Sequence, residues 1–351
     1  MKHKDPQQSE QKQDAFRAIR LWLWTVAALI FVMVLVGGAT RLTESGLSIT
    51  LWKPVTGVIP PLSAADWQAA FDRYKQIPQY RDMFPGMTLA HFKYIYTWEW
   101  SHRLLGRLIG VVFLLPFLYF LARGRIVGRL RWGLAGIFAL GALQGFVGWW
   151  MVSSGLASRV EVAQQRLAIH LLLASVTFVA VIWTATGLAP NYRDPFGRDA
   201  RVFRWEAAAL IVLVLIQIGF GALVAGLRAG LVYNTWPLMD GRFIPPMSHL
   251  FVLSPWYSNF INNITLVQFQ HRMMAYLVVA AVWLHALHIS RETLAKRAVR
   301  RALLLGVLVL VQVALGITTL VLVVPISAAL PHQATAMLVL ALATVHRRKM
   351  A

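Results

Sequence analysis

The chain of 351 residues contains no cysteine. This absence excludes disulfide bonds, thiolate metal ligands and covalent attachment of a cofactor through a Cys-x-x-Cys-His motif. Charged residues are also scarce, at 14% of the sequence, and only 14 of them are acidic against 34 Lys and Arg. Because 58% of the residues are hydrophobic, this composition excludes an ordinary soluble domain.

Long apolar runs account for the composition. A run of about 18 or more mostly apolar residues can cross the hydrocarbon core of a bilayer as a helix. The sequence predicts eight such spans, at 20–40, 100–121, 132–153, 166–187, 205–226, 264–288, 302–324 and 329–346. A helix satisfies its own backbone hydrogen bonds in lipid, so we predict an all-α, polytopic membrane protein with a long loop at 41–98.

The formal net charge of +20 is unevenly distributed. Of the 34 basic residues, 21 lie in the two tails and in the segments 123–131, 193–204 and 291–301, whereas the short loops 154–161 and 325–328 hold one and none. The positive-inside rule therefore predicts that both termini are cytoplasmic, and the charge indicates orientation and not nucleic-acid binding. The polar, acid-containing N-terminus resembles neither a signal nor a transit peptide, which favours a bacterial inner membrane.

The two halves of the chain repeat each other. Residues of the first half recur in the second at offsets that decrease from 184 to 162: Gly37, Gly46, Leu47 and Trp52, then His102-Arg103, then Gln144 and Gly148, and finally His170. Such offsets are expected if one four-helix unit was duplicated and its loops then changed length. We therefore predict two tandem four-helix bundles, 1–190 and 200–351, related by a pseudo-twofold axis along the membrane normal.

Four of the ten histidines take part in this repeat: His102, His170, His271 and His332. Each lies near the start of a span that enters the membrane from the same side, so all four are expected at one depth. A lone histidine on an apolar helix is more often a core residue, but four at symmetric positions favour metal ligation. Imidazole suits iron, zinc and copper. Without cysteine, two bis-histidine b-type haems are the simplest interpretation.

An alternative places two haem ligands on one helix, as in di-haem cytochrome b subunits. His271 and His285 are 14 residues apart, but no other span contains such a pair. The sequence therefore favours one histidine pair in each half. His285 and His288 are expected to cap the cytoplasmic end of their helix, and His346 to be solvated beside the charged tail.

Three arginines flank the repeated histidines. Arg103 and Arg272 each directly follow one of them, and Arg166 precedes His170 by four residues. Such guanidinium groups can bind haem propionates through paired hydrogen bonds. They can equally extend to the outer membrane interface, and the sequence leaves both interpretations open.

One acid distinguishes the two halves. Glu99 lies three residues before His102 and on the same helix face, whereas the repeat has Gln268 at that position. An acid in one half and an amide in the other predicts that two similar sites differ in chemistry. The alternative role for Glu99 is a structural salt bridge to Arg103.

Several longer motifs resemble haem A synthase, the membrane enzyme of cytochrome oxidase biogenesis. They are GGATRLTESGLSI (37–49), WKPVTGVIPPLS (52–63), YTWEWSHRLLGR (96–107), RLAIH (166–170), YNTWPLMDGRFIPP (233–246), QFQHR (268–272) and PHQ (331–333). The resemblance covers nearly the whole chain. It implies oxidation of the C8 methyl of haem O to the formyl group of haem A. The chain resembles the cysteine-free proteobacterial and mitochondrial group.

The resemblance also implies roles for the repeated residues. His271 and His332 would hold a resident haem b, His102 and His170 would flank the substrate haem O, and Glu99 matches the family's acid. The implied partners are haem O synthase, cytochrome oxidase assembly factors and an electron acceptor, with both haem sites toward the periplasm. Two other interpretations remain: a di-haem electron-transfer subunit, and a non-catalytic haem carrier or assembly protein.

Overall fold

The structure, a computed structural model, describes residues 6–190, 193–194, 200–292 and 295–350, and their side chains apart from those of 6–15 and 200. In chain order the helices are α1 (Pro6–Leu42), α2 (Ala64–Tyr74), α3 (Leu89–Ala122), α4 (Gly128–Ala157), α5 (Gln164–Gly187), α6 (Ala200–Gly226), α7 (Met247–Leu250), α8 (Asn259–Asn262), α9 (Ile264–Glu292), α10 (Lys296–Val321) and α11 (Ile326–Lys349). Within these ranges there is no strand, only an isolated bridge between Met239 and Arg242.

Eight of these helices are long and apolar enough to cross a membrane: α1, α3, α4, α5, α6, α9, α10 and α11. The predicted all-α membrane fold is therefore confirmed. Two helices begin well before their predicted spans: α1 begins at Pro6 and not near residue 20, and α3 begins at Leu89 and not near residue 100. The Thr88 side chain caps this helix by accepting a hydrogen bond from the backbone N–H of His91, so the helix starts well before the apolar run.

The segment between α1 and α3 is a small folded unit. Ser63 and Asp66 form a reciprocal capping box that starts α2. The buried face of α2, which includes Phe71, then packs with Leu47 and Phe92 in one hydrophobic cluster. This packing holds the segment against the outer part of α3, next to the first of the repeated histidines.

The spanning helices contact one another as two groups of four. In the first group α1 contacts α3 and α5, and α4 contacts α3 and α5; in the second α9 contacts α6 and α10, and α11 contacts α6 and α10. The groups meet where α5 contacts α6 and α11, and where α1 contacts α11. Since the contact of α5 with α6 between the groups is as extensive as those within them, the division into two four-helix units remains a prediction.

Residues at equivalent positions of the repeat meet where the groups join. Glu44 and Arg228, 184 residues apart, both adopt the left-handed conformation, with φ of 54° and 51°, which is uncommon outside glycine. The Arg228 Nη2 lies 2.6 Å from the Glu44 Oε1. Similarly, Arg41 Nη2 donates to the carbonyl oxygen of Ala225 over 3.0 Å. Contact between equivalent residues is expected beside a twofold axis, so these pairs support the axis, which remains a prediction.

At the other end of the second group, the expectations for three histidines are wrong. His285 Nδ1 and His288 Nδ1 each lie 2.7 Å from an oxygen of Glu206 on α6. His346 is fully buried, with its Nε2 2.9 Å from the Nε2 of His285. The physical reason is that α11 continues to Lys349, which places His346 inside the helix packing instead of in a solvated tail.

Candidate functional site

The structure brings the four repeated histidines together as two pairs. His102 on α3 lies within electrostatic range of His170 on α5, and His271 on α9 within that of His332 on α11. All four are only partly buried, so each pair borders open space. Among the described residues, no group of three or more acids and histidines could hold a bare metal ion. Structural and catalytic zinc sites use at least three protein ligands, so a pair of imidazoles fits a haem iron better.

Each of the four rings lies against a glycine of the neighbouring helix. A Cβ built on that glycine would come unusually close to a ring atom: 3.1 Å for Gly37 and His102, 3.0 Å for Gly148 and His170, 3.2 Å for Gly221 and His271, and 2.8 Å for Gly316 and His332. Only glycine leaves this space free. The same contact therefore positions all four histidines, and the sequence signal for it was the recurrence of these glycines in the repeat.

A glutamine precedes three of these glycines by four residues and contacts the same ring. The Gln144 Nε2 lies 3.2 Å from the Nδ1 of His170, and the Gln217 Nε2 lies 3.1 Å from the Nδ1 of His271. The Gln312 Nε2 lies 3.5 Å from the Nε2 of His332. The amide oxygen of each glutamine is buried without a hydrogen-bond partner. The sequence interpretation missed Gln217, although the shared spacing Gln-x-x-x-Gly was available as a signal.

Glu99 is only 3% exposed, and its carboxylate is fully engaged. One oxygen accepts hydrogen bonds from the Ser48 hydroxyl and the Ile49 backbone N–H, each over 2.7 Å, and the other lies 2.6 Å from Arg103 Nη2. The salt bridge considered for Glu99 is thus present. It places the acid one helical turn from His102, tied to the segment that follows α1.

Gln268 occupies the same place in the second half. Its Nε2 donates to the carbonyl oxygen of Ala229 over 2.8 Å, and its Oε1 accepts from Arg272 Nη2 over 3.3 Å. Both halves therefore tie this position to an arginine four residues on and to the segment after their first helix. The two side chains differ in charge and in the direction of the hydrogen bond to that segment, since Glu99 accepts from Ile49 and Gln268 donates to Ala229.

The three flanking arginines bind backbone carbonyls. The shortest of these contacts are 2.9 Å from Arg103 to Ile49, 2.8 Å from Arg272 to Tyr233, and 2.7 Å from Arg166 to Trp150. Arg103 and Arg272 fasten the segments after α1 and α6 to the helices, and Arg166 joins α5 to α4, roles that neither alternative from the sequence described. The Nε of Arg272 is buried without a partner, so a donor for a propionate remains there, and propionate binding stays a prediction.

A charged cluster beside the sites was not foreseen. Arg41 and Arg228 both bind Glu161 and both bind Glu44. Burial raises the pKa of Glu44 above its ordinary value of 4.5, although the two arginines act in the opposite direction. The cluster joins residues as far apart as 41 and 228, so no local pattern could predict it.

The residues present fit a haem in both halves. Two imidazoles lie within electrostatic range of each other in each helix group, a glycine leaves room for each imidazole, and unpartnered amide oxygens lie beside three of the four histidines. The fold defines an all-helical membrane protein with eight candidate spans, and its two histidine pairs remain predicted haem sites.

Comparison with known proteins identifies the family. Residues 20–344 match the COX15-CtaA family, described as "Cytochrome oxidase assembly protein", and the chain belongs to this family. A relative named "Heme A synthase" from Beijerinckia indica is 57% identical over 334 residues, covering 95% of this chain and 93% of the relative. Relatives of the same name from Rhodopseudomonas palustris (strain BisA53) and Bradyrhizobium sp. (strain ORS 278) are both 54% identical, covering 95% of this chain and 91% of theirs. The resemblance seen in the sequence motifs is confirmed.

Proposed function

We propose that the chain is a heme A synthase, which oxidises the C8 methyl of haem O to the formyl group of haem A. The observation that carries the proposal is identity of 57% over 95% of the chain to a relative of that name. The structure supports it with two paired-histidine sites that share one frame but differ in the charge at Glu99 and Gln268. A symmetric electron carrier has no need of that difference.

The two sites take different haems in this proposal. His271 and His332 hold a resident haem b, with Arg272 at its edge, and His102 and His170 flank the iron of the substrate haem O. When bound, the haem b supplies reversible one-electron chemistry. The protein orients both haems through the four histidines, and each imidazole is in turn held against a glycine.

Glu99 is the group we assign to proton handling. Conversion of a methyl to an aldehyde removes four electrons, releases protons and introduces one oxygen. Glu99 is the acid one turn from His102, and a positioned carboxylate contributes by exchanging a proton with the reacting group. Its hydrogen bonds to Ser48 and Ile49 hold the carboxylate in place, and Arg103 compensates its charge.

The same proposal places the protein in its setting. Both termini lie in the cytoplasm and the haem sites lie toward the periplasmic side of a bacterial inner membrane, as the basic segments indicate. Haem O synthase, cytochrome oxidase assembly factors and an external electron acceptor are the proposed partners.

Extraction of haems from the purified protein and from host membranes tests the function. We expect haem B together with haem A or its hydroxylated precursor in the protein, and accumulation of haem O in membranes of a host that lacks the gene. Haem B alone in the protein, with host haem A unchanged after deletion, would overturn the proposal in favour of a di-haem electron-transfer subunit.

A further inference from the structure

The four histidines are not supported equally. On α4, α6 and α10, a glutamine lies one helical turn before the glycine under the ring: Gln144, Gln217 and Gln312. Residues four apart share one face of a helix, so the glycine and the amide meet the same imidazole. The fourth helix, α1, has Met33 four residues before Gly37.

The glutamines are arranged to orient a histidine. Gln144 and Gln217 each contact the ring and also donate to the backbone carbonyl of that histidine, over 3.0 Å to His170 and 3.2 Å to His271. Their amide oxygens are buried without partners. At His170 and His271, a half-turn of the amide brings the oxygen toward Nδ1, where it can accept the N–H of a histidine that binds iron through Nε2. At His332 the accepting group is the backbone carbonyl oxygen of Gln312, 3.1 Å from Nδ1, and the Gln312 side chain lies beside Nε2 over 3.5 Å.

Met33 cannot orient a histidine in this way. Its thioether is only a weak acceptor and has no N–H to donate. A Cβ on Gly106 of α3 would lie 3.0 Å from the Met33 methyl carbon, so the side chain fills apolar space beside α3. The His102 ring is also turned differently, because its Nε2 is the atom nearest Gly37, whereas Cε1 is nearest the glycine at the other three histidines.

We propose that Gln144, Gln217 and Gln312 are positioning residues that make three of the four histidines firm axial ligands, and that Met33 leaves His102 as a weak, exchangeable ligand. A partner that accepts from the outer nitrogen of a ligating histidine fixes the ring and raises its basicity. The second half then retains its haem with two supported ligands. The first half holds its haem firmly through His170 alone, which suits a substrate that must enter and leave. This inference rests on the proposed haem sites but not on oxidation of haem O.

A reciprocal swap tests it, because Met33 and Gln217 occupy equivalent positions of the repeat. Each variant is purified from a host that makes no haem O and loaded with haem b, and carbon monoxide is added after reduction. In the unaltered protein we expect carbon monoxide to bind at the first site only. Met33→Gln should abolish most of that binding and increase the low-spin spectrum. Gln217→Met should add carbon monoxide binding at the second site and speed loss of haem to apomyoglobin about 10- to 100-fold.

The control is Gln79→Met, which removes a buried glutamine that binds Tyr74 and the Glu44 carbonyl in the outer segment, far along the chain from either site. It should leave carbon monoxide binding and haem loss unchanged. Carbon monoxide binding that is unaltered in Met33→Gln, or haem retention that is unaltered in Gln217→Met, would overturn the inference. Misfolding cannot imitate the first result, since Met33→Gln is expected to gain low-spin haem. Haem A formation is not measured in these assays, so failure of the proposed oxidation would appear separately.

Discussion

The two helix groups hold their histidines through the same kinds of contact, and they differ mainly in two side chains beside those histidines. In both, each ring rests on a glycine, and a polar residue three positions before the first histidine binds an arginine four residues further on. The first site has Glu99 and Met33 where the second has Gln268 and Gln217. A duplicated site can therefore diverge through one charge and one hydrogen-bonding group while its histidines keep their places.

The charge difference has a direct electrostatic consequence. Glu99 and Arg103 form a neutral pair at the outer edge of the first site, whereas Arg272 binds only the uncharged amide of Gln268 and backbone carbonyls. Asp240 lies within electrostatic range of Arg272, but the described residues include no salt bridge to this arginine, so its buried positive charge still favours an anionic group such as a propionate beside it. In the second site Arg272 is therefore available to bind a haem propionate, whereas in the first site Glu99 is available to exchange protons.

Removal of a histidine from the second site should have the largest effect. We expect His271→Ala and His332→Ala to lose the low-spin b-type spectrum, because the iron loses one of two axial ligands. His288→Ala should retain the spectrum, since His288 lies at the opposite end of α9 from His271 and its partner is Glu206 of α6. Reduced-minus-oxidised spectra and haem content measure the difference. Loss of haem from His285→Ala, with the protein still folded, would instead favour ligands stacked along one helix.

Glu99→Gln makes the first site imitate the second. We expect normal expression and retained haem b, with haem A formation reduced at least about 100-fold because the proton-exchanging group is lost. Haem O should accumulate in the membranes, where extraction and chromatography quantify it. Near-normal haem A in this variant would leave Glu99 with only its structural role of joining Arg103 to the segment after α1.

The sequence predicted those parts of the comparison that rest on periodicity and repetition. Eight apolar runs are sufficient to predict the spanning helices. The offsets of the repeat matched His102 with His271 and His170 with His332, and the division into halves then put one histidine pair in each half. The start of α3 was missed because it depends on the capping side chain of Thr88, outside the apolar run.

Contacts between distant segments could not be predicted from the sequence. Glu206 meets His285 and His288 across 79 and 82 residues, and Arg41 meets Glu161 across 120. Such pairs depend on which helices become neighbours, which hydrophobic patterns do not specify. Arg103 and Arg272 illustrate the same limit, because their carbonyl partners are in place only once the segments after α1 and α6 have folded back.

Alanine at the ring-contacting glycines should have an intermediate effect on both sites. A Cβ at Gly37 or Gly221 would lie 3.1 Å or 3.2 Å from its histidine, so the ring must move and the variant should lose about 1–3 kcal/mol of stability or haem affinity. Gly141→Ala is the matched control, since its Cβ would meet nothing within 4 Å and alanine favours a helix by about 1 kcal/mol. Haem content and Tm should fall in the first two variants only; an equal fall in the control would indicate a general cost of replacing helical glycine.

The smallest expected effect concerns the boundary, where the first half has Glu44 and the second has Arg228. Because burial raises the pKa of Glu44 above 4.5, the folded protein binds this proton more tightly than the unfolded chain does. The associated stability is present below pH 4.5 and is lost as the pH rises through the raised pKa. Glu44→Gln removes this dependence, so its Tm relative to the unaltered protein should increase as the pH rises through that window.

Asp72 provides a control of opposite sign: hydrogen bonds from Lys75 and Gln68 lower its pKa below 3.8, so the relative Tm of Asp72→Asn should decrease as the pH rises. Thermal unfolding in detergent between acidic and neutral pH measures both trends. Parallel trends in the two variants would show that the arginines, and not burial, determine the ionisation of Glu44.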